Sequence, residues 1–245
     1  MTDKVKVAVR VRPFNRREVD IGKQCVVDMK DCQTVLYHPS GTHDKDSHKR
    51  APKTFAFDHS FWSIDENVKE KFACQSTVYA RCGKEVLDKA FQGYNACIFA
   101  YGQTGSGKSY TMMGTAEQKG IIPRLCDALF EQITNNQDES LSYKCVVSYM
   151  EIYNEKVHDL LDPKGGRQNL RVREHNILGP YVDGLSSLAV SNFQDIDNLM
   201  SEGNKSRTVA ATNMNSESSR SHAVFSIILT TTMTDLQSGV SEFFF

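Results

Sequence analysis

The sequence predicts an α/β fold with a largely central β-sheet, and three observations support this class. Segments with strand-like alternation interleave with segments whose apolar residues recur at helical intervals. A continuous apolar run at 96–101 is typical of a strand that is buried on both faces. A glycine-rich turn follows that run and leads into a helix. Together these patterns favour a sheet with helices packed around it.

The predicted elements follow one another along the whole chain. Valines at alternate positions from 5 to 11 predict a first strand, which ends at Pro13. Residues 67–92 carry apolar side chains at helical spacing and predict a helix. No internal repeat, linker or low-complexity segment interrupts the chain, so we expect one domain across 1–245. The remaining predictions are strands at 54–62, 143–153 and 223–229, helices from about 109 and at 193–200, a loop at 38–53 and a turn at 162–166.

The composition is that of an ordinary globular protein. A formal net charge of −1 brings no excess of positive charge, which argues against nucleic acid as the main partner. No apolar run approaches the roughly 20 residues that span a bilayer, and the first residues lack the apolar stretch of a signal peptide. The 7 cysteines are scattered and form no Cys-x-x-Cys pair, so we expect reduced thiols in a cytosolic protein rather than disulfides or a zinc site.

A glycine-rich segment matches the eight-residue phosphate-binding P-loop pattern at every fixed position. It reads Gly102-Gln103-Thr104-Gly105-Ser106-Gly107-Lys108-Ser109. Glycines permit backbone conformations that a Cβ forbids, so successive N–H groups can point at phosphate oxygens. Lys108 adds a positive charge for the outer phosphates, and Ser109 places a hydroxyl for Mg²⁺. Because a strand is predicted before the loop and a helix after it, the pattern predicts a nucleotide site rather than an accidental turn.

The identity of the nucleotide base depends on a different motif. Guanine-specific proteins usually present an Asn-Lys-x-Asp stretch whose carboxylate pairs with the guanine edge. The nearest segment here, Asn204-Lys205-Ser206-Arg207, carries arginine at the position of that carboxylate. ATP with Mg²⁺ is therefore the predicted ligand.

A second polar cluster lies just before the last predicted strand. It reads Asn215-Ser216-Glu217-Ser218-Ser219-Arg220-Ser221-His222. Hydroxyls, an amide and an arginine in this order can hold a γ-phosphate, its Mg²⁺ and an attacking water, and a segment ordered by γ-phosphate is a known switching device. For this segment alone, a serine-rich loop without a ligand is the alternative interpretation.

The two motifs together resemble a family. Residues 101–109 and 215–222 are similar to the P-loop and first switch of kinesin motor domains, and Arg10-Val11-Arg12-Pro13 resembles their adenine-side motif. The likeness runs in order through essentially the whole chain. The resemblance implies the kinesin motor fold in incomplete form, a P-loop NTPase-type central mixed β-sheet flanked by helices on both faces. Segments that look like the kinesin-3 subfamily of organelle transporters are 172–175, 179–182 and 203–212.

The resemblance also assigns roles at the matching positions. It implies hydrolysis of ATP by positioning and electrostatic stabilisation, coupled to movement along microtubules. The expected nucleotide-binding residues are Arg10, Pro13, Gly102, Gln103, Thr104, Gly105, Ser106, Gly107, Lys108, Ser109 and Tyr110. The residues expected to sense γ-phosphate and the attacking water are Asn215, Ser218, Ser219 and Arg220, with Mg²⁺ at Ser109 and Ser219. For Arg10 and Arg12, a solvated or salt-bridged strand end is the alternative.

One family element has no convincing match in this chain. Kinesins carry a second switch, Asp-Leu-Ala-Gly-Ser-Glu, after the first. Asp162-Pro163-Lys164-Gly165 has the right spacing but lies upstream in a turn, and Asp235-Leu236-Gln237-Ser238-Gly239 has one residue too many. We therefore expect 1–245 to be a kinesin-like motor domain that lacks the second switch, the main microtubule-binding helix and the neck linker. The alternative function is a truncated nucleotide-binding module without hydrolysis or motility.

Three basic residues fall in the stretch that kinesins use as an auxiliary microtubule contact: Lys156, Arg171 and Arg173. The alternative is that they are ordinary surface charges. The resemblance implies tubulin as the partner and the cytoplasm, on the microtubule cytoskeleton, as the location. It leaves cargo adaptors, direction, speed and oligomeric state open.

Overall fold

A computed structural model of the chain describes residues 5–38, 51–162, 169–177, 179–211, 221–235 and 241–244, with the backbone alone at 208–211 and 241–244. The chain divides into two compact units. The first unit contains Met1–Val86 and Cys97–Ile122, and the second contains Leu87–Ala96 and Pro123–Phe245.

The first unit contains a parallel strand pair and a small antiparallel sheet. The alternating valines predict a strand, and the structure contains it as β1 (Ala8–Val11). This strand pairs in parallel with β5 (His59–Trp62), with Val9 opposite Ser60. The antiparallel sheet has the order β2-β3-β4. Its strands are β2 (Val27–Lys30), β3 (Gln33–Leu36) and β4 (Lys53–Ala56).

The helices of the chain differ widely in length. The short α1 (Arg16–Asp20) begins with a capping box, in which Asn15 and Glu18 accept hydrogen bonds from each other's backbone N–H groups. A single helical segment contains α2 (Gln75–Val78), a π-helical turn (Tyr79–Gly83) and α3 (Lys84–Phe91). The others are α4 (Lys108–Met112), α5 (Ile121–Thr134) and α6 (Phe193–Ala211).

A five-stranded antiparallel sheet forms the centre of the second unit. Its order is β10-β6-β11-β12, with β7 also paired to β6. Alternate residues of β6 are buried along one face because the side-chain period of a strand is two. A separate hairpin consists of β8 and β9. The strands are β6 (Leu141–Tyr153), β7 (Lys156–Asp159), β8 (Arg171–His175), β9 (Gly179–Asp183), β10 (Leu188–Val190), β11 (His222–Thr234) and β12 (Ser241–Phe244).

Each unit has its own buried apolar cluster. In the first unit it consists of Phe61, Ala73, Val78 and Ile121. In the second unit Tyr149, Leu160 and Leu161 are buried, with Leu188, Leu199 and Phe225 packed against them. Burial of one such large side chain contributes about 1.5–3 kcal/mol, so these clusters hold the strands and helices that carry the candidate site.

The prediction of a buried strand at 96–101 is wrong. These residues lie outside every strand, and Phe99 and Tyr101 are 76% and 95% exposed. Ile98 alone in this run packs against the buried cluster of the first unit. A strand needs a neighbouring backbone to complete its hydrogen bonds, and in the part of the chain that the structure describes no strand pairs with this run.

The prediction of one helix over 67–92 is wrong in its first third, since the helix begins at Gln75. Ala73 N–H donates instead to the carbonyl of Trp62 at 2.7 Å, which ties the chain to the end of β5. The predicted strand at 54–62 is likewise two strands in different sheets, because the Asp58 carboxylate accepts a hydrogen bond from Val7 N at 2.7 Å where the chain changes sheet. Tertiary hydrogen bonds decide both boundaries.

The other element predictions are confirmed in type, with longer elements at three positions and a shorter first strand, which begins at Ala8 rather than at Val5. The strand predicted at 143–153 is β6, and the one predicted at 223–229 is β11. The helix predicted at 193–200 is the start of α6, and the helix after the glycine-rich loop is α4. The central part of the loop predicted at 38–53 and most of the turn at 162–166 lie outside the described residues.

Candidate nucleotide-binding site

The glycine-rich loop before α4 takes conformations that require its glycines. Gly102, Gly105 and Gly107 have φ angles of 149°, 79° and 94°, in the region that favours glycine. A Cβ on Gly102 would also lie 2.7 Å from Ser106 Oγ, whereas a Cβ on Gly105 would meet nothing within 4 Å. The backbone of the loop is therefore accessible, as a cradle for an anion must be.

Lys108 closes the loop on itself. Its ammonium donates hydrogen bonds to the carbonyls of Gly102 at 2.7 Å and Gln103 at 2.9 Å. The next residue, Ser109, is exposed at the first turn of α4. A positive charge held at the mouth of the loop and an adjacent hydroxyl fit the phosphates and the Mg²⁺ of a bound MgATP.

The side chain of Arg10 connects four segments of the first unit. It donates to Ser63 Oγ at 3.0 Å, to Gln75 Oε1 at 2.7 Å and to Thr111 Oγ1 at 3.0 Å. Its guanidinium also lies over the ring of Tyr110, 5.4 Å from the centroid. Burial lowers the pKa of Arg10, although an arginine stays charged in proteins. The structure thus places Arg10 beside Tyr110, whereas the adenine contact predicted for both residues remains a prediction.

Arg12 lies beside the end of the glycine-rich loop but is held by a different partner. A Cβ on Gly107 would be 3.7 Å from Arg12 Cβ, in ordinary contact. The guanidinium makes two 2.7 Å hydrogen bonds to the carboxylate of Glu18 and a third to the carbonyl of Pro13. The hydrogen bonds from Arg12, followed by the backbone hydrogen bond at Asn15, lower the pKa of Glu18 to about 2. Arg12 is thus paired with Glu18. Pro13 is exposed, and its carbonyl accepts a hydrogen bond from Arg12.

Sequence reasoning missed Gln75, Ser63 and Thr111, the three side chains that accept hydrogen bonds from Arg10. A signal for Gln75 was available. Gln75 is three residues after Phe72 and four before Tyr79, so it falls on the apolar face of the predicted helix. A polar residue on such a face indicates a buried polar contact. Ser63 and Thr111 carried no comparable signal.

The four residues of the first-switch prediction, Asn215, Ser218, Ser219 and Arg220, lie outside the described residues. The residue that follows them is well anchored. Ser221 Oγ donates to Glu151 Oε1 at 2.5 Å, and Arg207 Nε donates to the same oxygen at 2.9 Å. Glu151 is only 5% exposed. Its ion pair with Arg207 joins β6 to α6, and its hydrogen bond with Ser221 joins β6 to the residue before β11.

The segment at 204–207, in which an arginine stands where a guanine-recognition motif has its carboxylate, is part of α6. Tyr149 donates its phenolic hydrogen to Asn204 Oδ1 at 2.9 Å, and Arg207 pairs with Glu151. These contacts give the segment a packing role, which agrees with its rejection as a base-recognition motif.

The three basic residues predicted to contact microtubules all lie on exposed positions. Val157 and Leu170 form an isolated antiparallel bridge. Because neighbouring residues run in opposite directions on the two segments, the backbones of Lys156 and Arg171 lie opposite each other beside this bridge. Arg173 pairs with Asp183 at 2.7 Å across the β8–β9 hairpin. The structure thus brings Lys156 and Arg171 close together, whereas the charge of Arg173 is partly compensated.

Membrane-spanning helices and metal clusters are absent from the part of the chain that the structure describes. Among the described residues, no helix is long and apolar enough to cross a membrane. The same residues hold no group of three or more His, Cys, Asp or Glu side chains placed to bind a metal ion. All 7 cysteines, each of which is described, are free thiols.

Comparison with known families decides what this loop belongs to. The sequence model of the kinesin motor domain matches residues 10–243. The chain belongs to the kinesin motor-domain family. The match begins at Arg10 and includes the glycine-rich loop at 102–109.

Curated kinesins give the subfamily. The chain is 67% identical to mouse (Mus musculus) kinesin-like protein KIF13A over 238 residues, which are 97% of this chain and 14% of that protein. It is 65% identical to human (Homo sapiens) KIF13B over 239 residues, 97% of this chain and 13% of that protein. Both are members of the kinesin-3 subfamily, which confirms the placement predicted from the sequence. The chain therefore spans less than a sixth of the length of these relatives.

Solved kinesin structures confirm the fold class. A KIF14 dimer with AMP-PNP in complex with a microtubule has a TM-score of 0.85 and 47% identity, covering 98% of this chain and 64% of that one. A fast kinesin has a TM-score of 0.81 and 37% identity, covering 98% and 62%. The α/β fold of the P-loop NTPase type is thus that of a kinesin motor domain.

Proposed function

We propose that this kinesin chain is part of a motor that couples hydrolysis of MgATP to movement along microtubules, of the type that transports organelles and vesicles. The observation that carries the proposal is the loop at 102–109, whose positive-φ glycines and half-buried Lys108 form a phosphate cradle next to the Arg10–Tyr110 pair. KIF14, a relative in fold and sequence, was solved with AMP-PNP or ADP in complex with a microtubule.

Each part of the site has a proposed task. The backbone N–H groups of Gly102–Ser109 bind the phosphates, and Lys108 exchanges the loop carbonyls for phosphate oxygens of opposite charge. Arg10 and Tyr110, with Pro13, bind the adenine. Ser109 and Ser219 would hold Mg²⁺, which would supply positive charge at the phosphates. Asn215, Ser218, Ser219 and Arg220 orient the attacking water and respond to the γ-phosphate.

The basic surface has a proposed partner of opposite charge. Lys156 and Arg171, next to the bridge between Val157 and Leu170, contact an acidic surface of tubulin. Arg173 is a weaker contributor because it is paired with Asp183. The proposed location is the cytoplasm, on microtubules. We also propose that residues 1–245 belong to one motor domain, with the two compact units as its parts.

Nucleotide affinity and turnover test the proposal directly. We expect the chain to bind MgADP and a non-hydrolysable MgATP analogue, and Lys108→Ala to weaken both by a factor of about 100 or more, because one charged hydrogen-bond donor to phosphate is lost. Isothermal titration gives the affinities. Lys30→Ala, which removes an exposed lysine at the end of β2, is the matched control and should bind as the unchanged chain does.

ATP turnover is then measured with and without microtubules, with Lys108→Ala as the blank. Turnover that microtubules increase supports the motor, whereas nucleotide binding without turnover supports the non-hydrolysing module instead. Unchanged affinity in Lys108→Ala contradicts the assignment of the phosphate site.

A further inference from the structure

One buried amide connects the segments that surround Arg10. Gln75 is only 2% exposed and is the first residue of α2. Its Oε1 accepts a 2.7 Å hydrogen bond from Arg10, and its Nε2 donates to the carbonyls of Tyr110 at 2.7 Å and Gln118 at 3.2 Å. A single side chain therefore joins β1, α4 and the segment before α5.

The contacts of Gln75 require a neutral amide of this length. The cation of Arg10 needs an acceptor, and the two backbone carbonyls need donors, so the oxygen and nitrogen of the amide have fixed positions. A glutamate in the same place keeps the acceptor but has no donor when ionised. A methionine of similar size has neither an effective acceptor nor a donor, and an asparagine is one methylene too short.

Gln75 contacts both Arg10 and Tyr110. The guanidinium of Arg10 has three side-chain acceptors, and the shortest of these bonds goes to Gln75. Tyr110 is held through its backbone carbonyl, while 41% of the residue is exposed beside the cation. An exposed aromatic ring next to an arginine is a surface on which a flat heteroaromatic base can stack.

We propose that Gln75 is a positioning residue for recognition of the nucleotide base. It does not touch the base, since it is buried, but it holds the Arg10 guanidinium and the Tyr110 backbone in the arrangement that receives a purine. The proposal rests on the proposed nucleotide-binding function and deepens it. It assigns Gln75 to recognition of the base rather than of the phosphates, for which residues 102–109 are the proposed site.

The experiment compares a ligand that has a base with one that has none. Affinities for MgADP and for magnesium pyrophosphate are measured by titration calorimetry for the unchanged chain, Gln75→Met, Gln75→Glu and the control Gln92→Met. Gln92 is exposed in the turn after α3 and reports the effect of the same substitution away from the site. Far-UV circular dichroism and thermal unfolding show which variants are folded.

We expect Gln75→Met to raise the Kd for MgADP about tenfold and to change the Kd for pyrophosphate by less than about twofold, because one hydrogen bond to a charged group is lost. Gln75→Glu keeps the bond to Arg10, so its loss of MgADP affinity should be smaller and again absent for pyrophosphate. Gln92→Met should leave both constants unchanged.

Equal weakening of both ligands in the Gln75 variants would show a purely structural role and overturn the inference, as would unchanged affinity for both. If Gln75→Met does not fold, the test uses Gln75→Glu instead. The inference then requires that the Kd for MgADP rises more than the Kd for pyrophosphate in that variant. Failure of the unchanged chain to bind either ligand would instead overturn the proposed function itself.

Discussion

At the scale of single residues, the environment of each thiol determines its chemistry. Cys74 precedes α2, and its sulfur lies 3.0 Å from Ser76 Oγ and 3.3 Å from Thr77 Oγ1. These hydrogen bonds lower the pKa of Cys74 to about 7. Burial raises the pKa of Cys126 to about 12 and that of Cys145 to about 11. The thiolate is the nucleophile, so the three thiols differ in reactivity.

Alkylation with iodoacetamide should therefore be selective. The rate at Cys74 is expected to rise as the pH passes through about 7, because the thiolate fraction increases there. Cys126 and Cys145 should stay unmodified in the folded chain at that pH. Mass spectrometry of the labelled peptides over a pH series measures the rates.

Ser76→Ala supplies the control for Cys74. Removal of the first hydrogen-bond partner should move the midpoint towards the ordinary thiol pKa of about 8.5. A midpoint in the unchanged chain at or above that value would show that the hydroxyls do not stabilise the thiolate.

At the scale of elements, the packing of α6 on β6 depends on a glycine. Tyr149 of β6 is 5% exposed, its ring meets Phe225 edge to face at 5.8 Å, and its hydroxyl is bonded to Asn204. The ring is thus held from two sides. Gly203 in the middle of α6 is buried against it, and a Cβ there would lie 2.5 Å from Cδ1 and 2.8 Å from Cε1 of the ring.

Gly203→Ala should lower the free energy of unfolding by up to about 2 kcal/mol. Overpacking in a buried position costs about 1–3 kcal/mol, and the higher helix propensity of alanine offsets up to about 1 kcal/mol of that cost. Urea denaturation followed by circular dichroism measures the difference. Ser201→Ala on the exposed face of α6 receives only the propensity gain and serves as the control. Stabilisation by Gly203→Ala would mean that the ring of Tyr149 yields to the new methyl group.

At the scale of the whole molecule, the glycine-rich loop at 102–109 and the candidate base residues all belong to the first unit, which contains Met1–Val86 and Cys97–Ile122. A ligand that binds only the folded state stabilises it by mass action. MgADP should therefore stabilise the first unit against local unfolding more than it stabilises the second.

Hydrogen exchange of the backbone amides measures this effect. At 100 times its Kd, MgADP should raise the free energy of opening by about 2.7 kcal/mol for amides that exchange through unfolding of the first unit. The largest slowing is expected at 102–112 and in β1. Lys108→Ala should show almost none of it at the same concentration. Slowing that appeared only at Pro123–Phe245 would contradict the location of the site.

The sequence alone predicted the features that depend on local spacing. The P-loop could be predicted because its function needs glycines, a lysine and a serine at fixed positions, and β6 and α6 because their patterns have periods of about 2 and 3.6 residues. Family and fold class followed from the same motifs. The residues of the first switch lie outside the described part of the chain, so their roles remain predictions.

The tertiary structure alone decided the features that depend on distant partners. The apolar run at 96–101 was predicted to be a strand, but a strand exists only where another backbone completes its hydrogen bonds. The helix of 67–92 begins at Gln75 because Ala73 bonds to Trp62. Arg10 receives its partners from positions 53, 65 and 101 residues away, and sequence spacing carries no information on contacts at such separations. Local pattern therefore determined the motif and the family, whereas packing decided which side chains hold the site in place.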